Sequence, residues 1–417
     1  MPDIKNFRHN HYVPEWYQKQ FMLPGQGKYW YLDLKPDVIP LPNGRTFTRR
    51  ALLPWGPVSC FAEDDLYTTT WGGQESVDIE KFFFGRVDGK GRRAVEFFVD
   101  FKFDRRAQEE AFHNLMNYMS VQKLRTPKGL GWLGGLPAGR NRNMRLMLLQ
   151  RIQNMFCAIW TECIWQIADA TNSETKFIIS DHPVTVYNRG CFPGSIYCTG
   201  FNDPEILMAA THTYFPLSTD KILMLTNLSW VRNPYQDERK ERPNARYFHD
   251  TIFKFTNIQT RRSLSEQEVR EINYITKQRA LRYVAGAKVE WLHPEDYLPS
   301  THWNKFGDGF LLMPEPRDTN MGGEVLVGYS GGRSEAWSEY GHRPWEKGYQ
   351  DDKRFAKEAA TLERFKAEWP VRQGPEYRGT SFQFHRDPDK PYVSSDELHQ
   401  HYLDNAKRYR KKSRQRP

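Results

Sequence analysis

The stretch KFIISDHPVTVY, residues 176–187, decides the fold. Phe177, Ile178 and Ile179 read as a short buried strand. Ser180 and Asp181 follow at its end, and Pro183 bars simple continuation of a ladder because it has no amide to donate. The ends of buried strands are where α/β and α+β folds place reactive groups. Asp181 is therefore the leading candidate for chemistry. The alternative is a carboxylate that caps its own turn, as Asp does before proline.

Upstream of this strand, Leu148, Ile152, Met155, Phe156, Ile159, Trp160, Cys163, Ile164 and Ile167 form an apolar stripe. That stripe predicts one long core helix over 143–169. Downstream, strands are expected at 214–217, 222–226 and around 252–255. A helix is expected from Ser265, whose spacing to Glu268 is that of a capping box. Val269, Ile272, Ile275, Leu281 and Val284 continue its apolar face, and KVEWL (288–292) reads as the last strand of the body.

Toward the N-terminus, KYWYLDL (28–34) reads as a strand and the Pro-, Gly- and Thr-rich stretch to residue 73 as loop. Helices are expected over 74–84 and from an Asp104 N-cap to Arg125, before Pro127. These elements predict an α+β fold, with long core helices packed on a modest, mainly antiparallel sheet. The character changes near residue 295, which divides the chain into a core domain (1–294) and a C-terminal extension (295–417). Polar helices are expected in the extension at 352–368 and from Ser394.

The chain has 417 residues with 13 Trp, 21 Tyr and 26 Phe, enough aromatic area for stable burial. Five cysteines without a Cys-x-x-Cys pair argue against a disulfide framework and a zinc cluster. No apolar run reaches the length of a membrane span, and the first residues lack a signal-peptide core, so a cytoplasmic location is expected. The net charge is +9, but the last eleven residues, KRYRKKSRQRP, carry seven Lys or Arg and no acid. The remainder of the chain is close to neutral. The basic tail is thus the feature that points to nucleic acid, by neutralising phosphates. Residues 295–417 are the expected site of any protein partner.

HYVP (11–14), IE (79–80), RTP (125–127), SDHPV (180–184), FPLS (215–218) and NYITKQRALRYV (273–284) occur in that order. This ordered set resembles domain of unknown function family 4238 over residues of about 9–290. His182 stands where that family usually has Asn, and residues after 294 lie outside its domain. The resemblance implies a grouping of folds and no mechanism.

The motifs nominate His11, Glu80 and Asp181 as catalytic residues, with Arg125 and Ser180 binding substrate. The imidazole of His11 is either a general base or metal ligand, or an anchor bonded to a backbone carbonyl. Glu80 and Arg125 sit beside apolar faces, where an unpaired charge is costly, so they are expected to pair. Asp181 is the alternative partner of Arg125. Arg125 then either holds a phosphate or locks two helices together. Glu80 and Asp181 are the candidate ligands of a divalent metal, the one cofactor considered. No Gly-x-Ser-x-Gly elbow surrounds Ser180 or Ser218, and no full phosphate loop or His-Glu-x-x-His is present. Acid-x-Lys triplets at Asp100–Lys102 and Glu174–Lys176 lack an acidic partner strand and count for little. The functional expectation is a phosphodiesterase- or nuclease-like, metal-dependent hydrolase acting on nucleic acid or nucleotide. The alternative is a non-catalytic binding protein whose motif residues form a buried network.

Overall fold

The protein is described here by a computed structural model, which covers residues 8–101, 108–189, 191–195, 198, 203–206, 211–227, 253, 255, 258–307, 325–328, 334–337 and 345–347. The basic tail and both polar helices expected in the extension lie outside these residues, as does Asp104.

The N-terminal third holds short strands around an entry segment. In chain order these are β1 (His9–His11), helix α1 (Glu15–Gln18), β2 (Tyr29–Asp33), β3 (Val38–Pro40), β4 (Thr46–Thr48), β5 (Leu52–Trp55), β6 (Ala62–Asp64), β7 (Thr69–Trp71) and β8 (Gln74–Ser76). The helical layer follows as α2 (Gly85–Val99), α3 (Gln108–Arg125), α4 (Pro127–Gly134), α5 (Arg142–Arg151) and α6 (Cys157–Glu162). The remaining elements are β9 (Ile164–Asp169), β10 (Ile179–Ser180), β11 (Thr185–Tyr187), β12 (His212–Pro216), β13 (Lys221–Thr226), β14 (Gln259–Ser263), α7 (Glu266–Arg279) and β15 (Tyr283–Gly286).

Two sheets carry the body. One runs β10-β15-β2-β5 and is antiparallel throughout. The other runs β11-β12-β13-β9-β14, antiparallel except where β14 lies parallel to β9. The fold is α+β, as the sequence predicts. One core links the entry segment, α2, α3, both sheets and α7. Trp303 and Phe306, beyond the expected division at 294, still pack into it. The backbone carbonyls of both accept from the Tyr187 hydroxyl at 2.9 Å.

Four sequence expectations change. The helix predicted over 143–169 is instead α5, a turn, α6 and then strand β9. Ile164–Ala168 are buried on both faces between β13 and β14. A run that is apolar all round fits a central strand as well as a helix, so periodicity misassigns it. Residues 74–84 split into β8 and a π-helical turn at Ile79–Phe84 that leads into α2. Gly85, Gly89 and Gly91 hide that helix from a propensity reading. Gly91 is there for closeness, since a Cβ would stand 2.4 Å from the Tyr118 ring on α3. The third change is that α7 stops at Arg279, so that Tyr283 and Val284 enter the first sheet. Finally, KVEWL holds a single 3₁₀ turn, Glu290–Leu292, rather than a strand.

Candidate functional site

The motifs meet around the end of α3. Arg125, in its last turn, is buried and makes a fork with Asp88 of α2: Nη2 lies 2.8 Å from Oδ1 and Nη1 donates to Oδ2 at 3.1 Å. Gln122 Oε1 accepts from Nε and Nη2 of Arg125 at 2.8 and 2.5 Å. Its amide nitrogen then donates to the Tyr12 carbonyl at 2.8 Å, which ties HYVP to α3. Tyr67 donates to the Arg125 carbonyl, and the rings of Phe84 and Tyr118 lie 5.4 and 5.8 Å from the guanidinium.

The expected Glu80–Arg125 pair is therefore corrected: Asp88 is the partner of Arg125. Glu80 stands close enough for its charge to be felt, yet its Oε2 is buried with no hydrogen-bond partner among the described residues. Burial pushes the Glu80 carboxyl up to about 7, against the pull of Arg125 and with a further push from Asp88. The helix lock expected of Arg125 joins α2 to α3, because the spacing from Glu80 to Asp88 carries the charge onto the helix face that meets Arg125.

Asp181 is also buried, and its carboxylate is spent on backbone. It accepts from the amides of Leu281, Arg282 and Tyr283 at 2.9, 2.6 and 2.8 Å. Those amides follow the end of α7, so Asp181 is the reason that helix stops and β15 begins. Burial raises its pKa, opposed by the same three amides. Ser180 Oγ accepts from the His182 amide at 3.1 Å and stiffens the same turn. Asp181 has no contact with Arg125 among the described residues.

His11 lies elsewhere, on β1. Its Nε2 donates to the Val58 carbonyl at 3.1 Å and stands 3.9 Å from Glu15. Burial lowers its pKa. Around it, Tyr12 and Val13 donate to the Phe61 carbonyl, and Gln18 donates to the carbonyls of Val13 and Cys60. HYVP has the geometry of an anchor. Glu80 and Asp181 do not share a site, and no group of three His, Cys, Asp or Glu among the described residues is arranged to hold a metal. The donor set for the expected divalent metal does not fit.

What the motifs do bring together is a pocket on the other side of RTP. Thr126 caps α4 by accepting from the Gly129 amide at 3.2 Å, with Pro127 at the first helical position. Gly129 permits the tight turn, because a Cβ would collide with the Lys123 carbonyl at 2.2 Å. The Thr126 hydroxyl lies 2.8 Å from His182 Nδ1, so RTP touches SDHPV. Lys123 donates to His182 Nε2 at 3.2 Å and to Asp203 Oδ2 at 3.1 Å. Lys128 donates to Asp203 Oδ1 and to the Arg279 carbonyl, both at 2.6 Å.

These side chains line an open cavity of about 70 Å³, walled by Trp132, Phe156 and Ile206 and with Glu205 exposed at its rim. At roughly 10–15 Å³ per water, the cavity takes a small polar group such as a phosphate rather than a whole drug-sized ligand.

A lysine ammonium can only donate, so His182 Nε2 accepts and Nδ1–H faces Thr126. Burial pushes His182 down to about 3, Lys123 lowers it further, and Asp203 opposes. Burial also opposes ionisation of Asp203, but Lys128 and Lys123 outweigh it and hold the carboxyl well below its ordinary range. Burial lowers Lys128 in turn, partly offset by Asp203. The floor of the pocket thus carries two ammoniums, one carboxylate and a neutral imidazole.

The pocket draws on both motifs through residues other than the nominated Arg125, Ser180 and Asp181. His182 lines the pocket and Thr126 holds its ring, while their neighbours Arg125 and Asp181 hold the frame. Lys123 and Lys128 flank RTP as KLRTPK, a signal that was available. Asp203 sits in an irregular segment, and no periodicity announces it.

Residues 138–289 match the model of the family described as Protein of unknown function (DUF4238), in agreement with the ordered motifs. SDHPV, FPLS and the α7 motif fall inside that span, whereas HYVP, IE and RTP precede it and meet it in space. No curated protein and no solved structure matches the chain. No helix among the described residues is long and apolar enough to cross a membrane.

Proposed function

We propose that this protein is a phosphodiester-directed hydrolase whose pocket holds a phosphate between Lys123 and Lys128, with His182 as the general base. The observation that carries the reading is the convergence of two ammoniums, Asp203 and a neutral imidazole in one opening. The two ammoniums offer donors to an anion.

The order of events follows from the contacts. Lys123 now occupies His182 Nε2. A phosphate oxygen that takes up the Lys123 ammonium leaves Nε2 open to water. The negative charge of the bound phosphate raises the proton affinity of the imidazole, so the base becomes competent only with substrate in place. His182 takes a proton from water, the hydroxide attacks phosphorus, and the P–O bond to the leaving oxygen breaks. Lys128 protonates that oxygen, and the imidazolium passes its proton through solvent to the Lys128 amine, which restores both groups. Asp181 and Ser180 act through the turn, holding His182 in place.

The test is hydrolysis of bis(p-nitrophenyl) phosphate and single-stranded oligonucleotides by the full chain, with and without a chelator. The expected result is chelator-resistant turnover, cut at least 100-fold in His182→Asn and Lys128→Met. Such losses are of the size general acid–base groups supply. No turnover by the native chain, or full turnover in His182→Asn, overturns the reading.

One set of observations favours the second reading, a non-catalytic binding protein. Arg125 and Asp181, two of the motif residues, are buried and fully engaged by the frame. That reading predicts phosphate binding without turnover.

A further inference from the structure

We infer that the pocket recognises a nucleobase as well as a phosphate, so that its ligand is a nucleoside phosphate, stacked on Trp132 and Phe156. The inference rests on the phosphate-binding reading above and adds a second subsite to it.

A site for phosphate alone needs donors and no aromatic wall. Here both rings line the same opening as Lys123 and Lys128. Each ring is half-buried and packs on the main core, which fixes it in place while leaving part of it open to the pocket. A rigid, half-exposed ring is what an unstacked base requires, because every base offers a π-face and the ring loses little entropy on contact. Lys123 Nζ stands 6.0 Å from the centre of the Phe156 ring, so charge and stacking surface are one group's length apart. Trp132 Nε1 makes no hydrogen bond among the described residues and is available as a donor.

The rim supports the same assignment. Glu205 is exposed on the same opening as the two lysines. Its carboxylate repels a phosphate and accepts from a sugar hydroxyl or an exocyclic amine. A ligand with phosphate at one end and donors in the middle satisfies both. The floor takes only a small group, so the phosphate goes deep and the base stays at the walls.

A nucleoside phosphate reaches such a site either free or as the end of a single strand. Calorimetry on the full chain separates these, with four probes: inorganic phosphate, ribose 5-phosphate, 5′-AMP and a 5′-phosphorylated tetra-deoxyadenylate. We expect 5′-AMP to bind roughly tenfold or more tighter than ribose 5-phosphate, the range that stacking one base supplies. Trp132→Leu and Phe156→Leu keep an apolar side chain against the core, and each should remove most of that ratio while leaving the inorganic phosphate affinity unchanged. A tetranucleotide that binds as tightly as 5′-AMP assigns the site to strand ends. One that binds at least tenfold more weakly assigns it to free nucleotides.

Equal affinity for 5′-AMP and ribose 5-phosphate, or an unchanged ratio in both leucine variants, overturns the base subsite and leaves the phosphate reading standing. Failure of all four probes to bind removes both.

Discussion

Two polar clusters lie back to back at the end of α3, and they differ in almost every respect. On one side Arg125 and Gln122 are buried among Phe84, Tyr118 and Tyr67, paired with a half-buried Asp88 and tied to the HYVP segment. On the other side Lys123, Lys128, His182 and Asp203 open onto a cavity. The boundary between them is a single peptide bond, with Arg125 facing the frame and Thr126 bonded to His182 of the pocket. SDHPV repeats the pattern. Asp181 holds three backbone amides while His182, one residue on, reaches Thr126. A motif therefore earns its regularity from both neighbours at once, one that fixes the turn and one that the turn presents.

The sharpest way to break this contrast is at Arg125. Arg125→Ala leaves the half-buried Asp88 without its partner and opens a hole among Phe84 and Tyr118. It should cost about 4 kcal/mol of unfolding free energy, read by urea denaturation. Lys123→Met, on the open side, should cost far less stability and lower phosphate affinity instead. Equal stability losses for the two would erase the distinction between frame and pocket.

Asp181→Ala comes next. It strips the acceptor from three amides, two of them at 2.8 Å or less, and should cost about 3 kcal/mol. Because Asp181 positions His182, thermal denaturation should show the loss even in buffer without ligand. An unchanged melting temperature would return Asp181 to a role in chemistry alone.

The smallest of these effects has the opposite sign. Glu80 ionises near 7 in the folded chain, against 4.5 ordinarily, so the folded state holds the proton across that window. Its contribution to stability is complete below about 4.5 and is lost as pH rises through about 7. Glu80→Gln removes the buried charge and should be more stable than the native chain above pH 7 by roughly 2 kcal/mol, with no gain below pH 4. Denaturation midpoints at pH 4 and pH 8 decide it. A loss at pH 8 would mean that Glu80 has a partner when ionised.

Much of the fold was legible wherever pattern and chemistry agreed. KYWYLDL, the Ser265–Glu268 capping box and the stop at Pro127 lie where the residues placed them, and the strands expected at 214–217 and 222–226 run over 212–216 and 221–226. The failures share a cause. Residues 157–168 are buried on every face, so one run fits a helix and a strand alike, and tertiary position alone selects β9. Leu281 and Val284 continue the α7 periodicity, but the helix ends because Asp181, a hundred residues earlier, claims the amides that follow it. The site was half legible for the same reason. RTP and SDHPV were found, yet which residue of each motif faces the cavity depends on a contact between them that neither contains. Asp203, in an irregular segment, becomes visible only when the chain is folded.

The claim on which the rest depends is that a neutral, buried imidazole waits beside two lysines for an anion. Its most direct test is the titration of His182 by NMR in the full chain, assigned by comparison with His182→Asn, with and without inorganic phosphate. The structure predicts a resonance that stays neutral down to about pH 3 without phosphate and takes up its proton at clearly higher pH when phosphate is present. A His182 that titrates near its ordinary 6.5 and ignores phosphate would contradict the account.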